Sequence, residues 1–170
     1  GAVDFDEQIY AAVELLLTDG SARRRAQSTC RHLLVDELQD LTPAHVLLLR
    51  LLSAPGYDVF GVGDDDQVLY SHAGADPAFL IDFARLFPGA ADHPLEVNYR
   101  CPAVVVDAAR TLLSYNDRRV PKEIRPGPDA VTGSALTVRT HAPDAGARTL
   151  VELVRGWLDA GIAPTDVAVL

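Results

Sequence analysis

Residues 33–40 read Leu-Leu-Val-Asp-Glu-Leu-Gln-Asp, an aliphatic run that stops at two adjacent carboxylates. Three consecutive aliphatics suit a buried strand of a parallel sheet covered by helices. Tyr57-Asp58-Val59-Phe60-Gly61-Val62 has the same character and closes on Gly63-Asp64-Asp65-Asp66-Gln67. Between them, Thr42-Pro43 opens a helical stretch that runs to about Ala54, before Pro55-Gly56. From His32 to Val62 is 31 positions, the length of one right-handed strand–helix–strand unit. The two strands are therefore expected to be parallel neighbours, with Asp36-Glu37 and 64–67 at one sheet edge. Ligands of α/β sheets bind at that carboxyl edge.

Two uncompensated acids at such an edge are costly unless a cation or a water-borne reaction uses them. Asp followed by Glu is what a Walker-B arrangement needs. Asp36 would help hold Mg²⁺ beside nucleotide phosphates, and Glu37 would orient and deprotonate the attacking water. On the pair alone, a strand running into an acidic turn is an equally good reading.

The chain has 170 residues, 48% of them hydrophobic, enough for a real core in one domain or two small ones. Its apolar runs are too short to span a bilayer, and no charged-then-apolar leader opens it. A cytoplasmic location without membrane partners is expected. Cys30 and Cys101 form no metal-binding spacing and read as reduced thiols. The net charge of −9 argues against a general polyanion binder, but it is unevenly spread. Residues 1–97 carry six arginines against sixteen acids; residues 98–170 carry nine cations against eight acids. That asymmetry suggests two units, 1–97 and 98–170, with different surfaces.

Further helices are expected over 4–18, capped by Asp4 and stopped by Gly20, then over 21–31, 77–87, 102–115 and 143–160. Leu95–Asn98, Leu136–Thr140 and Val167–Leu170 read as strands, and the Pro- and Gly-rich 116–134 as a loop.

Four stretches occur in fixed order: DFDEQ (4–8), LLVDELQDLTPAH (33–45), VGDDDQVLYSHAGAD (62–76) and LEVNYRCP (95–102). Together they resemble the UvrD/Rep/PcrA family of superfamily 1 DNA helicases, along essentially the whole chain. Residues 74–102 look most like the second UvrD-like helicase group of actinobacteria. The resemblance implies an α/β fold: a RecA-like P-loop NTPase parallel sheet with flanking helices. Residues 1–97 would be the C-terminal part of a first motor domain, and 98–170 the start of a second. It also implies an ATP- and Mg²⁺-dependent enzyme that moves 3′-to-5′ along single-stranded DNA and unwinds duplex DNA in repair.

The resemblance assigns roles by position. Asp36 would hold Mg²⁺ and Glu37 would be the general base. Gln39 and Asp40 would link the nucleotide site to neighbouring segments, and Gln67 would sense the γ-phosphate. Tyr99 would stack on adenine. Arg100 would reach the γ-phosphate from the second domain, where such arginines supply about 10³–10⁵ in rate. The acids and glutamine would thus share one pocket that the Tyr99-Arg100 turn closes. Tyr70 and His72 stand where the family stacks aromatics on DNA bases. Here the chain departs from the pattern, with His72 for a usual Trp or Phe and Ala73 for a basic residue; a buried or turn-stabilising His72 is the alternative. Phe5, beside Asp4 and Asp6, would serve packing and capping only.

Arg118, Arg119, Lys122 and Arg125 either hold DNA phosphates or merely offset acids. Asp64-Asp65-Asp66 is not expected to bind a metal, because three sequential acids on a turn should point apart.

No Gly-x-x-x-x-Gly-Lys-Ser/Thr loop occurs, since Lys122, the chain's single lysine, follows Pro121. The chain is therefore expected to be a fragment that is inactive by itself, with an exposed pairing edge and a tendency to associate. Two other readings remain open: a non-catalytic DNA- or protein-binding module derived from a helicase, and a subunit of a helicase–nuclease.

Overall fold

The computed structural model describes residues 4–133 and 137–170. The side chains of Phe5 and Asp6, and Leu136 at the head of an expected strand, lie outside the described residues. Two compact units result, Gly1–Thr132 and Gly133–Leu170.

The first unit opens with helix α1 (Phe5–Thr18). The Asp4 carboxylate accepts the Glu7 N–H at 2.8 Å, and Glu7 accepts the Asp4 N–H at 3.3 Å. That reciprocal pair satisfies two donors the helix start would leave free. Gly20 does not act as a stop; it begins α2 (Gly20–Thr29). Asp19 terminates α1 and caps α2, accepting from the Ser21 hydroxyl and N–H, both at 2.7 Å, and from the Ala22 N–H at 3.0 Å. These bonds, the Ser21 hydroxyl foremost, hold the Asp19 carboxyl down at about 2.

Strands β1 (Leu33–Val35) and β2 (Val59–Gly61) pair in parallel, Leu33 with Val59 and Val35 with Gly61. Helix α3 (Pro43–Ser53), with Pro at its first turn, makes the crossover between them. Gln27 donates its side-chain amide to the Leu51 carbonyl at 2.8 Å, tying α2 to α3. The strands are shorter than expected, and only one face is covered. Val35 and Val59 pack inward, whereas Leu34 and Phe60 are 81% and 61% exposed. Among the described residues, helices cover a single face of this sheet.

Leu38, Phe83 and Phe87 form the buried centre, with Val35, Leu41, Leu49, Tyr57 and Val59 against them. The Phe83 and Phe87 rings lie 4.7 Å apart, and Tyr57 meets Phe87 edge-on at 6.2 Å. Arg50 lies over the Tyr57 ring and donates to the Leu86 carbonyl. The single helix expected over 77–87 is broken into two turns, α4 (Ala78–Ile81) and α5 (Phe83–Leu86). Asp82 leaves the helical region at the break and pairs with Arg85.

Strand β3 (Val97–Asn98), helix α6 (Ala103–Leu113) and strand β4 (Arg125–Pro126) complete the unit, with β3 and β4 parallel. Strand β4 lies inside the stretch expected to be loop. The β3–α6–β4 segment belongs to the same compact unit as residues 4–97.

In the second unit, α7 (Gly146–Asp159) stands where a helix was expected. It ends at Gly161, whose φ of 91° favours glycine. Residues 137–140 and 167–170 are not strands. A strand exists only through ladder bonds to a neighbour, and neither stretch has one among the described residues. The chain is thus a mixed helix–strand protein with small parallel sheets. Among the described residues, no helix is long and apolar enough to cross a membrane.

Truncating Phe87 to Ala removes the ring that both Phe83 and Tyr57 contact. It should cost about 3–5 kcal/mol of unfolding free energy, read from the urea midpoint of the purified chain. An unchanged midpoint would mean that this cluster does not hold the unit together.

Candidate functional site

The ends of β1 and β2 are tied together before any side chain is considered. The Val62 N–H donates to the Val35 carbonyl at 2.8 Å, and the Leu38 N–H to the Val62 carbonyl at 2.9 Å. This second bond crosses back only because Glu37 takes a left-handed conformation, φ 53° and ψ 45°. Such a conformation is uncommon for a residue with a side chain and carries strain where it persists. A Cβ on Gly61 would lie 2.1 Å from Leu38 Cδ1, and one on Gly63 would lie 2.8 Å from Gln39 Oε1. Both glycines let the second strand approach the Leu38-Gln39 turn.

Side chains then link the two ends. Gln39, 2% exposed, donates to Glu37 Oε2 at 2.6 Å and accepts the Asp64 N–H on its carbonyl at 2.9 Å. Asp64 Oδ2 accepts from Gln67 Nε2 at 2.7 Å. Asp36 Oδ1 accepts the Glu37 N–H at 2.9 Å, leaving its second oxygen open on an exposed side chain. Asp36, Glu37, Gln39, Asp64 and Gln67 are therefore one connected hydrogen-bonded set. Beside it, Asp40 Oδ1 is buried without a partner among the described residues.

The three aspartates do not point apart. One carboxylate oxygen from each of Asp64, Asp65 and Asp66 lies within 4.8 Å of the others. What occupies their midst is an ammonium: Lys122 Nζ stands 2.7, 2.7 and 3.2 Å from Asp64, Asp65 and Asp66. Arg119 reaches Asp66 at 2.7 Å, Asn116 donates to its other oxygen at 2.9 Å, and the Val120 N–H donates to Asp65 at 2.6 Å. The acids converge instead of pointing apart as expected, and protein donors engage each of them. Arg118 pairs with Asp76 at 3.5 Å and Arg125 with Glu96 at 3.9 Å. All four cations of the 118–125 loop face acids of the same unit.

Burial works against the Asp64 carboxylate, yet the bonds from Lys122, Gln67 and the Asp66 N–H outweigh it and hold its carboxyl below the ordinary value of 3.8. Burial likewise opposes the Lys122 ammonium, and Asp64 and Asp65 more than offset it, raising the group above 10.5.

Asn98 ends β3 and accepts the Arg100 and Cys101 N–H groups on its Oδ1 at 3.0 and 2.8 Å, shaping the turn that carries Tyr99 and Arg100. Tyr99 is 81% exposed. Arg100 is exposed, and its guanidinium has no hydrogen bond among the described residues. No bond joins either to Glu37 or Gln67. Tyr70 and His72 are both exposed, their rings 6.1 Å apart on a tight turn over 70–73, so the buried reading of His72 does not hold. Cys30 and Cys101 are free thiols. A mainly apolar groove of about 690 Å³ runs beside β2, past Phe60, Gly63, Asp64, Leu95, Asn98 and Lys122. Glu37, Gln67 and Arg100 do not line it; Glu37 and Gln67 are exposed at the strand tips, while Asp64 lines the groove and Gln39 is buried.

A family model described as the UvrD/REP helicase N-terminal domain matches residues 1–88. The chain belongs to that family. It is 32% identical over 170 residues to the ATP-dependent DNA helicase UvrD2 of Mycobacterium tuberculosis, covering 99% of this chain and 24% of that protein. DNA helicase II of Escherichia coli is 32% identical over 171 residues, covering 100% and 24%. The ATP-dependent DNA helicase Rep of Escherichia coli is 38% identical over 114 residues, covering 67% and 17%. The chain spans about a quarter or less of the length of these relatives.

The turn glycines could have been read as close-approach positions from their place at the start of the second motif. The pairing of Lys122 with three acids more than fifty residues away had no local signal.

The pH dependence of the lysine–aspartate cluster follows from its two shifts. Asp64 stabilises above 3.8 and loses that contribution as pH falls through its lowered value; Lys122 stabilises below 10.5 and loses it as pH rises through its raised value. Lys122→Met should therefore cost about 3–5 kcal/mol at pH 7, the usual loss when a buried pair is broken from one side. The deficit should shrink as pH falls below 3.8 and the Asp64 carboxylate protonates; urea melts at pH 7 and in that acid range measure it.

Proposed function

We propose that this chain is a motor segment of an ATP-dependent DNA helicase, in which residues 1–97 belong to a first RecA-like domain and 98–170 to a second. The observation that carries the reading is the set Glu37–Gln39–Asp64–Gln67, hydrogen-bonded across two parallel strand ends in a chain whose family is helicases.

The chemistry of each group supports its role. Asp36 keeps one oxygen open at the surface, which suits Mg²⁺ held through water. Bound there, the ion would neutralise charge on the nucleotide phosphates. Glu37 has one carboxylate oxygen fixed by Gln39, so the other can take a proton from water at a fixed orientation. Gln67 gives one amide hydrogen to Asp64; its carbonyl oxygen can accept from the attacking water and its second hydrogen can meet a phosphate oxygen. The unpartnered Arg100 guanidinium would complete the charge clamp and Tyr99 would stack on adenine. Exposed Tyr70 and His72 would stack on bases of single-stranded DNA, each such contact being worth about 1–3 kcal/mol. A 3′-to-5′ direction, unwinding of duplex DNA in repair and a cytoplasmic location rest on the resemblance alone.

His72-Ala73, in place of an aromatic and a cation, favours the second reading, a helicase-derived binding module.

In the full-length protein, Glu37→Gln should retain ATP binding and cut turnover by about 10²–10⁴. Unchanged turnover would remove Glu37 from the reaction. The 170-residue chain alone should not hydrolyse ATP, because it offers no phosphate-cradling loop and its one lysine is held by three carboxylates. Mg²⁺-dependent phosphate release by the pure chain, abolished by Glu37→Gln, would contradict that.

A further inference from the structure

The cations of the 116–122 segment do more than balance charge. Lys122 Nζ donates to Asp64 Oδ1 at 2.7 Å, and the other oxygen of the same carboxylate holds the Gln67 amide at 2.7 Å. The Asp64 N–H in turn fixes the carbonyl of Gln39, whose amide fixes Glu37. One residue, Asp64, therefore stands between a nearly buried lysine and the groups proposed to handle the attacking water, meeting Gln67 through its carboxylate and Glu37 through its backbone N–H and Gln39.

The segment bearing Lys122 also has a defined place in the chain. It runs from the end of α6 to β4, and β4 pairs with β3, whose last residue, Asn98, shapes the Tyr99-Arg100 turn. A displacement of that segment would pull on Asp64 through Lys122 and on Asp66 through Arg119 and Asn116. Neither Lys122 nor Arg119 is bonded to Asp36 or Glu37 among the described residues. Lys122 is 11% exposed, and its three nearest acceptors are all carboxylates.

The geometry points to Lys122 as a positioning residue for Gln67, acting through Asp64, so that the 116–122 segment sets the orientation of the water-handling amide. This inference rests on the role proposed above for Gln67. A lysine that only neutralised the aspartates would serve as well if replaced by another cation. A positioning lysine would not, because an arginine fork is planar and cannot meet three carboxylates from one point.

The test uses the full-length protein, with Lys122→Arg and Asp64→Asn made singly and each combined with Gln67→Ala. Circular dichroism melts establish that every variant used is folded. Each single change should lower kcat for ATP by about 10- to 10²-fold, the scale of a misplacement of about 1 Å, with KM for ATP little altered. Each double variant should turn over no more slowly than Gln67→Ala alone, because both changes remove the same contribution. If Lys122→Arg does not fold, Asp64→Asn carries the test in the same way. Full kcat in the folded single variants, or losses that multiply in the doubles, would overturn the positioning role while leaving that of Gln67 intact. Full turnover by Gln67→Ala itself would overturn both.

Discussion

Everything at the strand tips depends on one buried amide. Gln39 lies between Glu37 and Asp64, its donor end on one and its acceptor end on the other, with no water-facing freedom to exchange them. Amides suit this place because they both donate and accept, whereas a carboxylate would repel Glu37 and an alkyl chain would strand the Asp64 N–H. The left-handed Glu37 is held in the same way. The Leu38 N–H reaches the Val62 carbonyl, Leu38 itself is 1% exposed beneath the strands, and both turn glycines leave room for it. Local strain of this kind persists only where neighbours over-determine it. Here a core leucine and a buried glutamine do so next to a proposed catalytic acid.

The charge distribution has an equally local consequence. Residues 1–97 are strongly acidic, and three of those acids converge, Asp65 and Asp66 with nearly buried side chains and Asp64 partly exposed. Bringing them together unpaired would be prohibitive. Of the loop cations, Lys122 and Arg119 are engaged in this convergence, while exposed Arg118 and Arg125 pair with Asp76 and Glu96. A nucleotide at the strand tips would therefore meet an acidic rim whose inner charges are already compensated.

Much of this was legible because parallel pairing constrains a chain strongly. The 31-residue spacing, the apolar runs and the Pro-Gly punctuation were enough to anticipate β1, α3 and β2 side by side with the acids at one edge. Burial on both faces was not legible, because Leu34 and Phe60 read as core residues whatever covers them. The stretches 137–140 and 167–170 failed as strands for a related reason, since pattern signals competence to pair and not the presence of a partner. Gly20 misled because a glycine after a helix reads as a stop, while Asp19 ahead of it can close one helix and open the next. In the site, neighbouring residues were anticipated and distant ones were not. A linking role for Gln39 is what the family resemblance implies, but Lys122 meets Asp64 across 58 positions through no local pattern.

The identity of that one cation carries its own argument. Arginine outnumbers lysine fourteen to one in this chain, and the single exception sits at the centre of the aspartates. An ammonium is compact and offers three donors spread tetrahedrally, so it can satisfy carboxylates arriving from three directions. A guanidinium presents its donors in a plane, and Arg119 does what that geometry allows, reaching one carboxylate, Asp66, from the flank. Exchanging the two residue types would leave the net charge the same and the bonds unmade. Arginine thus serves the single carboxylate reached from the flank, and lysine stands where three carboxylates meet.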